Sequence, residues 1–565
     1  MYKVVIGDRN YGSYDFINQT TMEAESSPLD PIHRKLFHND IIEYDGEVFH
    51  VRLSSLRKSK HISGVAVMTD NVTYGKDKNK RYFRVLPDDS RLPSFLVPMA
   101  VKKMEFNKKP VNGYVIFKFD NWEGKHPVGS MLNRIGSVDT LSNFYEYQLY
   151  CKSLNSSISS FMKKAVDSYK TKTDDEYTDS ILNNYGSCIQ DRRTYNVFSI
   201  DPPGSTDYDD AISIQIDGDI TELSIYISNV TIWIEALGLW NSFSERVATI
   251  YLPDRKRPML PTILSDCLCS LQERQNRFAI VLDLRIKGGK IHQAEYHNCL
   301  INVNKNHRYE TPELLKEKDY HLIKEVLCEI SPQYNYMGKI RNSHDVVAYA
   351  MILFNWWTGD IMREYGNGIH RSFVLNPNVE VPDSLPDDVR MFVRIWNSSA
   401  GQYLPYGSNM QHQTLNVDAY VHMSSPIRRL VDLLNMIQHQ KNLGMIQLSK
   451  ECLDFYEHWY ERLDYINTTM RAIRKVQSDC ALLAKCTSDP ELLSETYVGY
   501  VYDKISRNDN MYQYIVYLPH FKLNTRVALR EDIPNYTALN FKLFMFMEQA
   551  NFKHKIRLHY VSHVA

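Results

Sequence analysis

The sequence lacks an apolar run long enough to cross a bilayer. Its longest, 346–357, is interrupted by Asn355 and falls short of the roughly 20 residues a span needs. The amino terminus, MYKVVIGDRN, has no extended apolar stretch of the kind a secretory signal carries. Nine cysteines are scattered and odd in number, which argues against a disulfide framework. Only Cys267 and Cys269 are close, and no second pair completes a zinc set. These absences lead us to expect a soluble, cytoplasmic chain with reduced thiols and no membrane partner. Internal repeats and low-complexity tracts are missing as well. So is charge of one sign: 66 Lys/Arg against 67 Asp/Glu give a net −1, which does not advertise a nucleic-acid binder.

What is present is length and local charge. At 565 residues the chain exceeds one compact core, and three or four domains are expected. Residues 51–110 carry 14 Lys/Arg against five Asp/Glu, including Lys76, Lys102, Lys103, Lys108 and Lys109. The tail Lys553-His554-Lys555-Ile556-Arg557 is basic too. Alone, such runs read equally well as solvated faces or as phosphate-tracking surfaces.

Short strands joined by turn residues fill the first 150 positions. Asp45-Gly46 predicts a hairpin between Ile41-Ile42 and Val48-Phe49, and Asn112-Gly113 introduces a strand over 114–119. The polar run 171–180 reads as a connector. Further on, 345–365 reads as a buried helix and 451–486 as one long helix. After Asp489-Pro490 the pattern returns to β and fits a five-stranded barrel.

The most informative stretch is Asp201-Pro-Pro-Gly-Ser-Thr-Asp207-Tyr-Asp209-Asp210. Four carboxylates this close repel, and a hard divalent cation with oxygen ligands is the simplest relief. An acidic surface loop is the competing reading. An EF-hand is excluded, because counting from Asp201 puts Thr206 at position 6 and Ile212 at position 12. The Pro-Pro-Gly corner could fold Asp201 back towards the other three. A second constellation is Tyr420-Val-His422-Met-Ser424-Ser425-Pro426-Ile-Arg428-Arg429-Leu-Val-Asp432. Its guanidinium forks suit phosphate oxygens, although both arginines could equally pair with local carboxylates such as Asp432.

Together these stretches resemble the signatures of the ribonuclease II/R (RNB) family of 3′-to-5′ exoribonucleases. Tyr251-Leu252-Pro253, Pro258-Met259-Leu260-Pro261 and Cys269-Ser270-Leu271 match its pattern in the same order. Asp88-Asp-Ser-Arg-Leu-Pro93, Pro127-Val-Gly129 and Ile135-Gly136 resemble the eukaryotic exosome-associated branch. The length leaves no room for the additional endonuclease domain of some members. The resemblance implies an α+β multidomain chain. Two cold-shock-like OB barrels would cover 1–80 and 81–150, with a helical connector over 151–189. An α/β RNB catalytic domain would cover 190–490, and an S1-like OB barrel 491–565.

It also implies Mg²⁺-dependent, processive hydrolysis of single-stranded RNA to nucleoside 5′-monophosphates by a monomer that threads one strand. Asp201, Asp207, Asp209 and Asp210 would hold two Mg²⁺ ions, with Mn²⁺ a potential substitute. Arg428 would stabilise charge on the scissile phosphate, and Tyr251 would stack on a terminal base. Tyr420, His422, Ser425 and Arg429 would line the RNA path. The chain departs from the family where consecutive glutamates are usual (347–351 has none), at Asn229, and at Asn435-Met436-Ile437. A catalytically silent RNA-binding relative is the alternative.

Overall fold

Four β-sheet cores organise the chain; Phe95–Ala100 alternates in burial, whereas Ile62–Ala66 and most of Asn276–Lys287 are buried continuously. The coordinates are a computed structural model. It describes every residue except 26–28, 46–47, 71, 73, 78–79, 101–109, 334–338, 377–379, 399–400, 408, 508, 550 and 565. Gly46, Lys102, Lys103, Lys108 and Lys109 therefore lie outside the described residues. The chain divides into two compact units. One comprises Met1–Asn155, Leu252–Asp254 and Lys475–Ala565; the other comprises Ser156–Tyr251 and Arg255–Arg474.

The first unit holds three antiparallel sheets of OB type. In the first, the strand order is Ala24–Glu25, Tyr14–Asn18, Tyr2–Ile6, Ile41–Tyr44, Phe49–Leu53. The last, Leu523–Leu529, Tyr512–Leu518, Tyr497–Ser506, Ala538–Glu548, Lys553–His563, repeats that order. It is a five-stranded Greek-key order, opened between third and fifth strands. In the middle sheet that gap is closed by a parallel pairing of Val128 with Leu96, while Ile62–Ala66 pairs with both Gly113–Asn121 and Lys80–Pro87. Val4, Phe16, Phe37, Phe95, Val115 and Phe117 form one buried cluster across the first two sheets. The last strand is fastened within the unit: Lys553 Nζ lies 2.7 Å from Asp88 Oδ1, and Tyr114 Oη donates to the Phe552 carbonyl at 2.9 Å.

The second unit is built on a closed barrel of β1 (Ile189–Asp201), β2 (Asp210–Asp217), β3 (Ile220–Ser228), β4 (Asn276–Lys287) and β5 (Lys290–Arg308), with β1 parallel to β5. Period-two alternation sorts its residues. Phe198, Ile200, Ile212, Ile225 and Leu282 pack with helices α1 (Lys318–Ile330) and α2 (Ser343–Glu364). Val197, Ala211, Tyr226, Val281 and Ile301 form a separate cluster. Among polar groups, Arg192 and Asp283 make a two-pronged buried pair at 2.7 and 2.6 Å, and Ser224 Oγ adds a bond to Asp283 at 2.6 Å. Helix α3 (Leu430–Asn442) completes the unit and is buried over most of its length. No helix among the described residues is long and apolar enough to cross a membrane.

Three sequence expectations need correcting. The boundary at 80/81 falls inside a strand, Lys80–Pro87; the first sheet ends at Leu53 and the second begins at Ile62. Residues 171–180 are not merely a connector, because Asp174–Tyr185 is a helix. Its polar composition hid a reciprocal capping box, in which Thr173 and Glu176 satisfy each other's backbone amides. The single helix expected over 451–486 is two, Lys450–Tyr460 and Leu463–Ser488.

Candidate active site

Antiparallel β1 and β2 bring Asp201 and Asp210 to one end of the barrel. Phe198 pairs with Ile212, so the last residue of β1 and the first of β2 flank the same connection. The connection leaves strand geometry at Pro202-Pro203 and turns at Gly204, whose φ of 81° is the left-handed region that favours glycine. A motif distant in sequence anchors the loop. Ser270 Oγ accepts from the Tyr208 amide at 3.0 Å and donates to the Thr206 carbonyl at 2.8 Å; the Leu271 amide reaches the Tyr208 carbonyl at 3.0 Å. The Asp209 carbonyl accepts from the Ser228 amide at 2.9 Å.

Arg428 enters on a second loop, and its placement explains the Ser-Ser-Pro motif. Asp432 Oδ1 accepts from the Ser425 amide at 2.8 Å and from Arg429 Nη2 at 2.7 Å. Asn355 of α2 grips the preceding residues. It accepts from the Met423 and Ser424 amides at 2.9 and 3.2 Å, and donates to Ser424 Oγ at 3.0 Å and Tyr420 Oη at 3.3 Å. Backbone bonds join the loop to the Tyr251 segment: Thr249 amide to Arg428 carbonyl, and Leu430 amide to Val247 carbonyl, both 2.9 Å.

The result is a cleft of about 600 Å³ lined by 201–207, Asp209, Asp210, Tyr251, Lys256 and Arg428. Asp209 is 2% exposed, and its Oδ1 accepts from the Ile427 amide at 2.9 Å. Arg428 Nε lies 3.0 Å from Asp209 Oδ2, a close ion pair whose angle falls short of a hydrogen bond, so Oδ2 has no hydrogen bond. Asp201 Oδ2 is likewise buried with none. Burial pushes the Asp209 carboxyl up to about 7 against the opposing pull of Arg428. Burial also pushes Asp201 up to about 6, with Asp207 adding to the rise. The Asp210 carboxyl is raised by burial and then by Asp201, although part of its surface stays open. Asp207 differs: its Oδ2 accepts from Tyr251 Oη at 2.7 Å, and its Oδ1 lies 3.1 Å from Lys256 Nζ.

This donor set fits a hard divalent cation in its chemistry. Two buried carboxylate oxygens lack hydrogen bonds, and three carboxyls are held above their ordinary range by unrelieved burial. Among the described residues, no three potential metal-ligating side chains are gathered into a ready coordination group. Asp207 lines the cleft with both carboxylate oxygens engaged, by Tyr251 and by Lys256.

Of the remaining sequence-predicted residues, Tyr251 is 41% exposed and lines the cleft. Ser425, Tyr420, His422 and Arg429 do not line it. Ser425 is buried and accepts from Arg428 Nη2 at 3.1 Å, which orients the guanidinium. Tyr420 is buried in an edge-on cluster with His412 and His422, and Tyr403 Oη bonds His422 Nδ1 at 2.8 Å. Burial holds the His422 imidazole well below its ordinary range. Arg429 turns to Asp432. None of the four lines this cleft, and Ser425 and Arg429 bond to groups of the Arg428 loop. The sequence reading missed Lys256 and Asn355, the first signalled only by the Arg255-Lys256-Arg257 run; Asp432 was named as a partner for the arginines and Ser270 as a member of a matched motif, without their anchoring roles.

Comparison with known proteins agrees with this arrangement. Residues 189–346 match the RNB domain, a segment that includes all four aspartates and Tyr251 but not Arg428. A probable exosome complex exonuclease RRP44 of Caenorhabditis elegans is 28% identical over 202 residues, 35% of this chain and 20% of that protein. The match thus spans about a fifth of that relative's length. Among solved structures, Mycoplasma genitalium RNase R in complex with ribose methylated single-stranded RNA superposes with a TM-score of 0.70 at 14% identity, covering 99% of this chain and 100% of that one. Yeast Ssd1, described as a pseudonuclease, superposes with a TM-score of 0.59 at 13% identity, over 96% of this chain and 80% of that one. OB-type sheets and an α/β barrel are thus the shared fold. The chain therefore contains an RNB domain, at residues 189–346.

Proposed function

We propose that this chain is a 3′-to-5′ exoribonuclease that hydrolyses single-stranded RNA to nucleoside 5′-monophosphates with a divalent cation, Mg²⁺ in the first instance. The observation that carries the reading is the pairing of Arg428 with a buried, hydrogen-bond-deficient Asp209 in an acidic cleft. Asp201, Asp209 and Asp210 would hold the cation, with Asp207 joining when its present partners release it. So held, the metal supplies charge that lowers the pKa of an attacking water and steadies the leaving 3′ oxygen. Arg428, half-exposed at the cleft mouth, orients the scissile phosphate and stabilises its growing charge. Tyr251 offers a ring face for stacking on a base, an interaction tolerant of sequence and worth roughly 1–3 kcal/mol.

One observation favours a second reading, a silent RNA-binding relative. Asp207 is occupied on both oxygens by protein groups, and the fold is shared with a protein described as a pseudonuclease. The two are separated by 5′-labelled single-stranded RNA and DNA incubated with Mg²⁺, with and without chelator. Stepwise RNA shortening, abolished by chelator and by Asp209→Asn, supports the nuclease. Retention of intact RNA by the wild-type chain supports the silent binder.

A further inference from the structure

Among the described residues, Lys256 is the one cation besides Arg428 lining the acidic cleft. It arrives on a two-residue hairpin pairing in which Tyr251 lies opposite Lys256, so the two groups that engage Asp207 come from facing positions. Its ammonium stands at a three-way junction: 2.5 Å from Thr206 Oγ1, 3.1 Å from Asp207 Oδ1 and 2.8 Å from Asp266 Oδ1. Asp266 is itself fixed by its neighbours, with Ser265 Oγ donating to its Oδ1 at 2.6 Å and Thr206 Oγ1 to its Oδ2 at 3.3 Å.

The four aspartates therefore do not share one electrostatic fate. Asp201 and Asp209 have oxygens without hydrogen bonds, Asp209 with Arg428 beside it, whereas both Asp207 oxygens are engaged, one of them by the Lys256 ammonium. A divalent ion approaching Asp207 Oδ1 must meet the Lys256 charge at the same oxygen. A lysine is a point charge on a flexible four-carbon stem, and it can give up one carboxylate while keeping another. Asp266 and Thr206 are that alternative here.

We infer that Lys256 is a built-in counter-cation that competes with the metal for Asp207, and that Asp266 is the station to which it withdraws. Lys256 is thus a positioning residue that sets metal affinity, rather than a catalytic residue. The inference rests on the cation-dependent reading above, and it deepens that reading by saying what decides when the fourth aspartate joins.

The test is Mn²⁺ binding to the full chain without RNA, by calorimetry and by the loss of free-ion paramagnetic signal, with circular dichroism as a folding control. Removing one opposing charge at a partly exposed site should tighten binding about tenfold in Lys256→Gln and Lys256→Met. Lys256→Arg, which keeps the charge, should stay near wild type. Asp266→Asn, which removes the withdrawal station, should weaken binding. The decisive comparison is the double variant Lys256→Gln/Asp266→Asn, which should bind like Lys256→Gln alone, because Asp266 acts only through the lysine. Additive weakening in the double variant, or equal affinity in wild type and all five variants, overturns the inference and leaves the nuclease reading intact. Absence of Mn²⁺ binding in wild type and every variant overturns both, and hydrolysis then need not be measured to tell these outcomes apart.

Discussion

Arg428 Nε stands 3.0 Å from Asp209 Oδ2, so the second motif delivers its guanidinium to a buried carboxylate of the first, 219 positions earlier in the chain. Replacing Arg428 by Ala should lower RNA cleavage by on the order of 10²–10³-fold, the usual cost of one well-placed donor to developing charge. The side chain is 46% exposed, so the fold should survive. Single-turnover cleavage of 5′-labelled RNA, with circular dichroism as control, measures both.

The contribution of Asp201 and Asp209 to the stability of the cation-free protein should fall as pH rises. Asp201 and Asp209 are held near 6 and 7 in the folded chain, above their ordinary 3.8, so between about pH 4 and 7 the folded state binds protons that the unfolded state has lost. Their stabilising contribution is complete below pH 4 and gone above pH 7. Asp209→Asn keeps an acceptor for the Ile427 amide without the buried charge, and should gain about 1–3 kcal/mol at pH 8 in the absence of metal. Because protons and cations compete for the same oxygens, the rise in melting temperature with Mn²⁺ should be larger at pH 8 than at pH 5.5. Thermal scans at the two pH values, run with chelator and with Mn²⁺, check each statement.

Asn355 touches no cleft residue directly, yet four bonds from it hold the loop that carries Arg428. Asn355→Ala strands buried amides and should cost about 2–4 kcal/mol in urea unfolding. Activity should fall about tenfold at a temperature where the variant remains folded, since small misplacements of an electrostatic donor are expensive. Asn355→Asp, which keeps the acceptor for both amides, should recover part of the activity.

Away from the site, the Arg192–Asp283 pair is 7% and 5% exposed. Asp283→Ala leaves a buried guanidinium without its carboxylate and should cost about 3–5 kcal/mol. The double variant Arg192→Met/Asp283→Leu should recover most of that loss. Denaturant midpoints of the three proteins decide the matter.

The aspartates, Arg428 and Tyr251 could be read from the sequence because cleft chemistry demands those residue types in a set order. Lys256 could not, since its partners Asp207 and Asp266 meet it only through the hairpin pairing of Tyr251 with Lys256 and the anchored 206–208 loop. Asn355 was invisible for the same reason: nothing local says that a polar residue inside an apolar helix faces a loop 68 positions away. Tyr420 and His422 do not line the cleft, because a motif reveals which residues accompany each other and not which of them face it. The boundary at 80 failed because a family outline carries no information about which strands pair. Helix Asp174–Tyr185 was missed because its stability begins with a cap rather than with an apolar stripe.

The salt bridge between Lys553 and Asp88, and the bond from Tyr114 to Phe552, have a consequence for synthesis. A ribosome releases Asp88 and Tyr114 long before their partners exist, and everything from Ser156 to Arg474 must emerge in between. The face that receives the last strand has to wait until residues 552 and 553 have emerged. The chain therefore passes through an interval in which this unit is incompletely assembled.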